Sequence, residues 1–120
     1  MKGIKYKLSI RIFNDNKIFG PGAAELLEGI RKEQSLRRAA LNMEMSYNKA
    51  WNIVNNIEKN IGFKIVERQT GGIGGGGAVL TKEGEVLLDK YRAFTADVES
   101  YAQKAFEKYF GSDWLWAKKK

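Results

Sequence analysis

The sequence contains no cysteine and no histidine. Disulfide scaffolds, zinc fingers, thiol nucleophiles and imidazole acid–base chemistry are therefore excluded. The lack of cysteine fits a reducing compartment. No apolar run approaches the roughly 18 residues of a membrane span. Met1-Lys2-Gly3-Ile4-Lys5 leads into alternating residues, not an apolar signal core. The expectation is a cytoplasmic protein with no membrane association. No paired-carboxylate, metal or nucleophile constellation is present, so no cofactor, metal or catalytic residue is expected.

What is present is 120 residues, the length of one domain, with 43% hydrophobic residues to build its core. There are 21 Lys+Arg against 14 Asp+Glu, a net charge of +7. That balance calls for an anionic partner: nucleic acid, an anionic membrane surface or an acidic protein. The charge is uneven. Residues 1–20 hold five Lys/Arg against one Asp, whereas residues 81–110 hold five basic against six acidic residues.

Residues 6–13 alternate, with Tyr6, Leu8, Ile10 and Ile12 on one side of an expected strand. Asn14-Asp15-Asn16-Lys17 is turn chemistry, and Lys17-Ile18-Phe19 returns as a short second strand. Pro21, the only proline, stands where a first helix begins. Ser35 and Ser46 are N-cap candidates for helices over 36–41 and 47–61, separated by a tight turn. Gly62 follows where a left-handed C-cap is expected. Residues 36–61 thus read as helix-turn-helix. Strands over 63–68 and 78–80 flank a glycine run as a hairpin. Thr81 caps a last helix over 82–110.

The helix over 47–61 buries Ala50, Val54, Ile57 and Ile61. Its other face gathers Asn48, Lys49, Asn52, Asn55, Asn56 and Lys59. Asn is a poor helix former, so this face sacrifices local stability. Its amides can read adenine edges in a major groove, and Lys can reach phosphate or guanine. A solvated helix face would look the same. The preceding short helix and turn favour a recognition helix.

The glycine run contains Gly72-x-Gly74-x-x-Gly77, but Ala78-Val79-Leu80 after it is strand-like, so it is neither a dinucleotide loop nor a P-loop. A hairpin tip with bare backbone N–H groups fits, with Arg68 and Thr70 at its base. In the last helix Leu87, Tyr91, Phe94, Val98, Tyr101 and Ala105 repeat at spacings 4, 3, 4, 3, 4. At 1.5 Å per residue this helix spans roughly 43 Å, too long for one small core to cover, so those six are expected to form a dimer interface. Residues 111–120, with Trp114, Trp116 and three terminal lysines, read as a flexible tail.

Strand, helix, helix, helix and hairpin in this order make a winged helix-turn-helix. Met45-Ser46-Tyr47, Ala50-Trp51, Thr70-Gly71-Gly72, Gly74-Gly75-Gly76-Gly77-Ala78, Leu80-Thr81 and Gly84 stand within it. Over about residues 5–110 the sequence resembles the N-terminal DNA-binding domain of ModE-type molybdate-responsive transcriptional regulators, a domain related to that of LysR-type regulators. The resemblance implies a homodimer on a palindromic operator in double-stranded DNA, and control of molybdate-transport or molybdenum-related genes. It assigns DNA contacts to Ser46, Tyr47, Asn48, Lys49 and Asn52, and to Arg68, Thr70, Gly71, Gly72, Gly74 and Gly75 on the wing. Asn56 is added from the polar helix face. Trp51 is expected to support the helix from its edge. Ile73 departs from the family, whose wings often carry a basic residue there. Molybdate-binding domains follow the winged helix in full-length members. No such domain is expected in this chain, which resembles the stand-alone form.

The expected architecture is mainly α with small β hairpins. Residues 1–110 form one winged helix-turn-helix DNA-binding domain, which includes the dimerisation helix 82–110. A winged-helix module that binds protein or RNA, without sequence-specific DNA binding, remains open on the same charge.

Overall fold

Glycine followed by proline breaks the N-terminal hairpin and starts the first helix. A computed structural model describes residues 3–69 and 77–111 of the chain. Strand β1 (Ile12–Phe13) pairs antiparallel with β2 (Lys17–Phe19), Ile12 opposite Phe19, with a register irregularity between Ile12 and Phe13. Asn14 closes the turn by accepting the Asn16 N–H on Oδ1 at 2.8 Å. Helix α1 (Pro21–Glu33) then starts with Pro21, whose missing N–H would have been unpaired in any case.

Only the last two residues of the expected strand over 6–13 pair as strand. β2 is three residues long and offers the earlier ones no strand partner. Residues 3–11 form no regular element among the described residues. Part of this segment touches the C-terminal helix instead. The Tyr6 ring lies 4.9 Å from Phe106, and its hydroxyl donates to Glu99 at 3.0 Å.

Helix α2 (Leu36–Asn42) is capped by Ser35, whose Oγ accepts the Arg38 N–H at 3.0 Å. Helix α3 (Tyr47–Ile61) is capped in the same way by Ser46, from the Lys49 N–H. Each such cap stabilises by about 1 kcal/mol. Between them Glu44 turns the chain at φ 56°, and Gly62 ends α3 at φ 87°, the left-handed C-cap expected of it.

Strands β3 (Val66–Arg68) and β4 (Ala78–Leu80) pair antiparallel, with Val66 opposite Leu80 and Arg68 opposite Ala78. The Ala78 N–H also reaches the Gln34 carbonyl at 3.2 Å, tying the wing to the α1–α2 junction. Thr81 joins wing to last helix. Its hydroxyl donates to the Lys64 carbonyl at 2.8 Å and accepts the Gly84 N–H at 3.0 Å. Helix α4 (Lys82–Phe110) follows. Gly84 is required there: a Cβ would overlap the Ile65 carbonyl oxygen.

The core lies among the four helices and the two hairpins, with Phe19, Leu26, Leu27, Ile30, Leu36, Val54, Ile57, Ile65 and Leu88 fully enclosed. Burying one such side chain is worth about 1.5–3 kcal/mol. Arg31 on α1 reaches Glu85 at 3.1 Å and Asp89 at 2.9 Å on α4, and Arg92 reaches back to Glu28 at 3.4 Å. These pairs are solvent-exposed, so each adds at most about 1 kcal/mol.

Helix α4 divides at Tyr91. Gly84, Leu88 and Tyr91 are buried, and no later residue of the helix is. Tyr91 keeps only 3% of its surface exposed, with its hydroxyl donating to the Ile10 carbonyl at 2.7 Å and its ring edge-on to Phe19. Burial lifts its phenol above the usual pKa, against the opposing pull of Arg92 and Arg11. Tyr91 therefore belongs to the chain's own core, not to the surface that the heptad spacing assigned it. Leu87 is half-buried and packs on that core. Phe94 and Tyr101 remain 50% and 76% exposed, with Val98 and Ala105 half-buried beside them. The whole is mainly helical with two small hairpins, a winged helix-turn-helix with a long C-terminal helix. No described helix is long and apolar enough to cross a membrane.

Candidate nucleic-acid interface

Helix α3 presents three longitudinal strips around its buried side. At roughly 100° per residue, Asn48, Asn52, Asn55 and Lys59 fall within one narrow row opposite Ala50, Val54 and Ile57. All four are exposed. Tyr47, Trp51 and Glu58 lie to one side of that row, and Lys49, Ile53, Asn56 and Asn60 to the other.

The first side meets the wing. The Arg68 guanidinium stands 4.3 Å from the Trp51 ring centroid, and the Arg37 guanidinium 4.4 Å from that of Tyr47. Tyr47 and Trp51 meet edge-on at 6.4 Å. Arg37, Tyr47, Trp51 and Arg68 therefore form a continuous cation–aromatic line from α2 to the base of the wing. Such contacts are worth about 0.5–1 kcal/mol each at exposed sites. They also hold two guanidinium groups beside the asparagine row. Behind this line, Glu58 Oε2 accepts the backbone N–H groups of Ile65 and Val66 at 2.8 and 3.2 Å, which locks the foot of β3 to α3.

The second side meets the N-terminal hairpin. Asn56 Nδ2 donates to the Lys17 carbonyl at 3.3 Å, and Asn60 donates to the Asn56 carbonyl at 2.8 Å. Asn56, expected among the DNA contacts, is thus turned towards β2 and joins hairpin to helix. Lys49 lies on this same side, exposed.

Of the expected contact residues, Ser46 is the helix cap, while Asn48 and Asn52 are exposed on the central row. Tyr47 and Arg68 stand on the wing side within the cation–aromatic line. Thr70, Gly71, Gly72, Gly74 and Gly75 lie outside the described residues. Gly77, the first described residue after them, accepts the Gln69 N–H at 2.9 Å, so the described hairpin closes there. Three cations beside the face were not foreseen: Arg37, Arg11 and Lys17. Arg37 sits on a short amphipathic helix, where an exposed Arg is ordinary. Its value comes from Tyr47, a partner in the next helix.

Residues 22–85 match the model of the bacterial regulatory helix-turn-helix proteins of the lysR family. The chain is 37% identical over 101 residues to the DNA-binding transcriptional dual regulator ModE of Escherichia coli (strain K12), a match covering 84% of this chain and 35% of that one. It is 34% identical over 83 residues to the molybdenum transport protein ModE of Azotobacter vinelandii, with 69% of this chain and 31% of that protein covered. It is 35% identical over 94 residues to the molybdenum-pterin-binding protein MopB of Rhodobacter capsulatus, with 78% and 34% covered. The chain thus spans about a third of the length of these curated relatives. The fold is also that of the protein in a crystal structure of a CbnR DNA-binding domain–DNA complex. That chain superimposes with a TM-score of 0.56 at 15% identity, covering 70% of this chain and 91% of its own. With more than half of its residues inside the family match, the chain belongs to the bacterial regulatory helix-turn-helix proteins of the lysR family.

Proposed function

We propose that the chain is a DNA-binding transcriptional regulator of the ModE type. On this reading α3 enters the major groove, the wing lies along the backbone or minor groove, and a second copy completes the reading of a palindromic operator. The observation that carries it is the exposed row of Asn48, Asn52 and Asn55, with cations along both sides of the helix. Asparagine donates and accepts at once, which suits an adenine edge, and the flanking cations suit phosphates on either strand.

The relatives' names support control of molybdenum-related genes, and a cytoplasmic location follows from the same reading. The homodimer is supported by α4, whose Phe94 and Tyr101 stay exposed on one strip beyond the core. The test is an anisotropy titration against the promoter regions of neighbouring genes, with random duplex and RNA as competitors. Preference for one promoter duplex supports the reading. Equal affinity for random duplex, or tighter binding to RNA, overturns it.

A further inference from the structure

The N-terminal hairpin precedes the residues that match the family model, yet it lies directly against α3. Between them is a groove of about 290 Å³, lined by Arg11 before β1, Lys17 of β2 and Lys49 of α3. Its floor includes the apolar side chains of Ile18 and Ile53. Among the described residues no carboxylate lines it. Among the described residues none of the three cations makes an ion pair, although Arg31 and Arg92 elsewhere do. Three like charges converging on one concavity repel one another unless an anion sits among them.

The backbone contributes to the same place. Gly20, the N-cap of α1, has no side chain to cap the helix, and Gly22 and Ala23 line the groove in the first turn. Their N–H groups have no intrahelical acceptor and lie at the positive end of the helix dipole. The Arg11 side chain crosses this end. Its Cγ and Nη1 lie 3.3 and 3.5 Å from where a Cβ on Gly20 would stand.

We propose that this groove seats one phosphodiester of the duplex backbone, with Arg11 and Lys17 as its side-chain donors and Lys49 shared with α3. The proposal rests on the DNA-binding reading above and specifies its second strand contact. A helix is about as wide as the major groove, so a helix lodged there has a phosphate backbone on either side. The wing side carries Arg37 and Arg68. The hairpin side carries this groove, which grips the opposite strand and fixes the rotation of α3 about its own axis.

The experiment is an anisotropy titration of the chain and its variants on a random-sequence duplex over a salt series. Phosphate contacts are sequence-independent, so no operator is needed. Arg11→Ala and Lys17→Ala are each expected to weaken binding about three- to tenfold and to lower the salt slope by about one. Lys104→Ala, on the far part of α4, is the control and should leave both unchanged. Thermal melts verify that the variants fold. If the wild-type chain binds duplex and both groove variants match it in affinity and slope, the phosphate seat is overturned while the DNA reading stands. If the wild-type chain binds no duplex, both fall. Calorimetry with inorganic phosphate separates a free oxyanion from the backbone. Tight phosphate binding that the variants abolish, with duplex affinity unchanged, would reassign the groove to a small anion and overturn the backbone seat.

Discussion

The Arg68 guanidinium lies 4.3 Å from the ring of Trp51, so the base of the wing rests on the flank of the helix proposed to read DNA. The two parts of the interface are therefore not independent. Removing either partner should loosen the wing and also weaken α3's hold. Arg68→Ala and Trp51→Ala, alone and together, form a double-mutant cycle on duplex affinity. A coupling of about 0.5–1 kcal/mol is expected, with Trp51→Phe retaining part of it. Strict additivity would mean that wing and helix act separately.

The central row and its edges should differ in what they do. Asn52 is exposed in the middle of the row and Lys49 on the hairpin side. Asn52→Ala is expected to relax base preference at one position by about 1–3 kcal/mol. Lys49→Ala should weaken every duplex alike and lower the salt slope by about one. Affinity profiles over single-base operator variants distinguish the two. Equal, sequence-independent losses from both would contradict the assignment.

Gly84 should tolerate no side chain. A Cβ there meets the Ile65 carbonyl, and that backbone is held by the Thr81 N–H at 2.9 Å and by Glu58. Gly84→Ala is expected to cost about 1–3 kcal/mol, read as a thermal midpoint lower by several degrees. An unchanged midpoint would mean that α4 slides freely on the wing. Gly62→Ala, at φ 87°, tests strain without a clash. It should cost about 1 kcal/mol.

Two aromatics three residues apart on α4 should behave oppositely. Phe94 is 50% exposed, whereas Tyr91 is 3% exposed and bonded to Ile10. Phe94→Glu, or Tyr101→Glu, is expected to shift the chain towards monomer in sedimentation without lowering monomer stability. Tyr91→Phe should lower stability by about 1 kcal/mol and leave the oligomeric state alone. A dimer that survives both glutamate variants would move the interface elsewhere.

The elements were legible wherever one local signal decided them. Ser35, Ser46 and Thr81 each cap a helix, Pro21 opens one and Gly62 closes one, and these signals act within four residues. The heptad repeat on α4 was legible as a stripe. It did not tell which residues face the chain's own core, because Tyr91 is decided by Ile10 and Phe19, some 80 and 70 residues away. The strand over 6–13 was overextended for a related reason. Alternation records one apolar side, and that side packs partly on α4 with no partner strand.

The candidate interface divides the same way. Asn48 and Asn52 follow from helical phase alone. Asn56 shared their composition but sits some 40–80° away around the helix, where the hairpin takes it. Arg37, Arg11 and Lys17 gain their meaning only from elements that the fold brings beside α3.

The most direct test is selection of bound duplexes from a random pool, followed by titration of the winner against a scrambled duplex at several salt concentrations. The expected winner is a palindromic sequence whose half-sites lie about one helical turn apart, or a multiple of that. It should bind at least about a thousandfold tighter than the scrambled duplex. A pool that emerges unenriched, with both duplexes bound equally at every salt concentration, would contradict it.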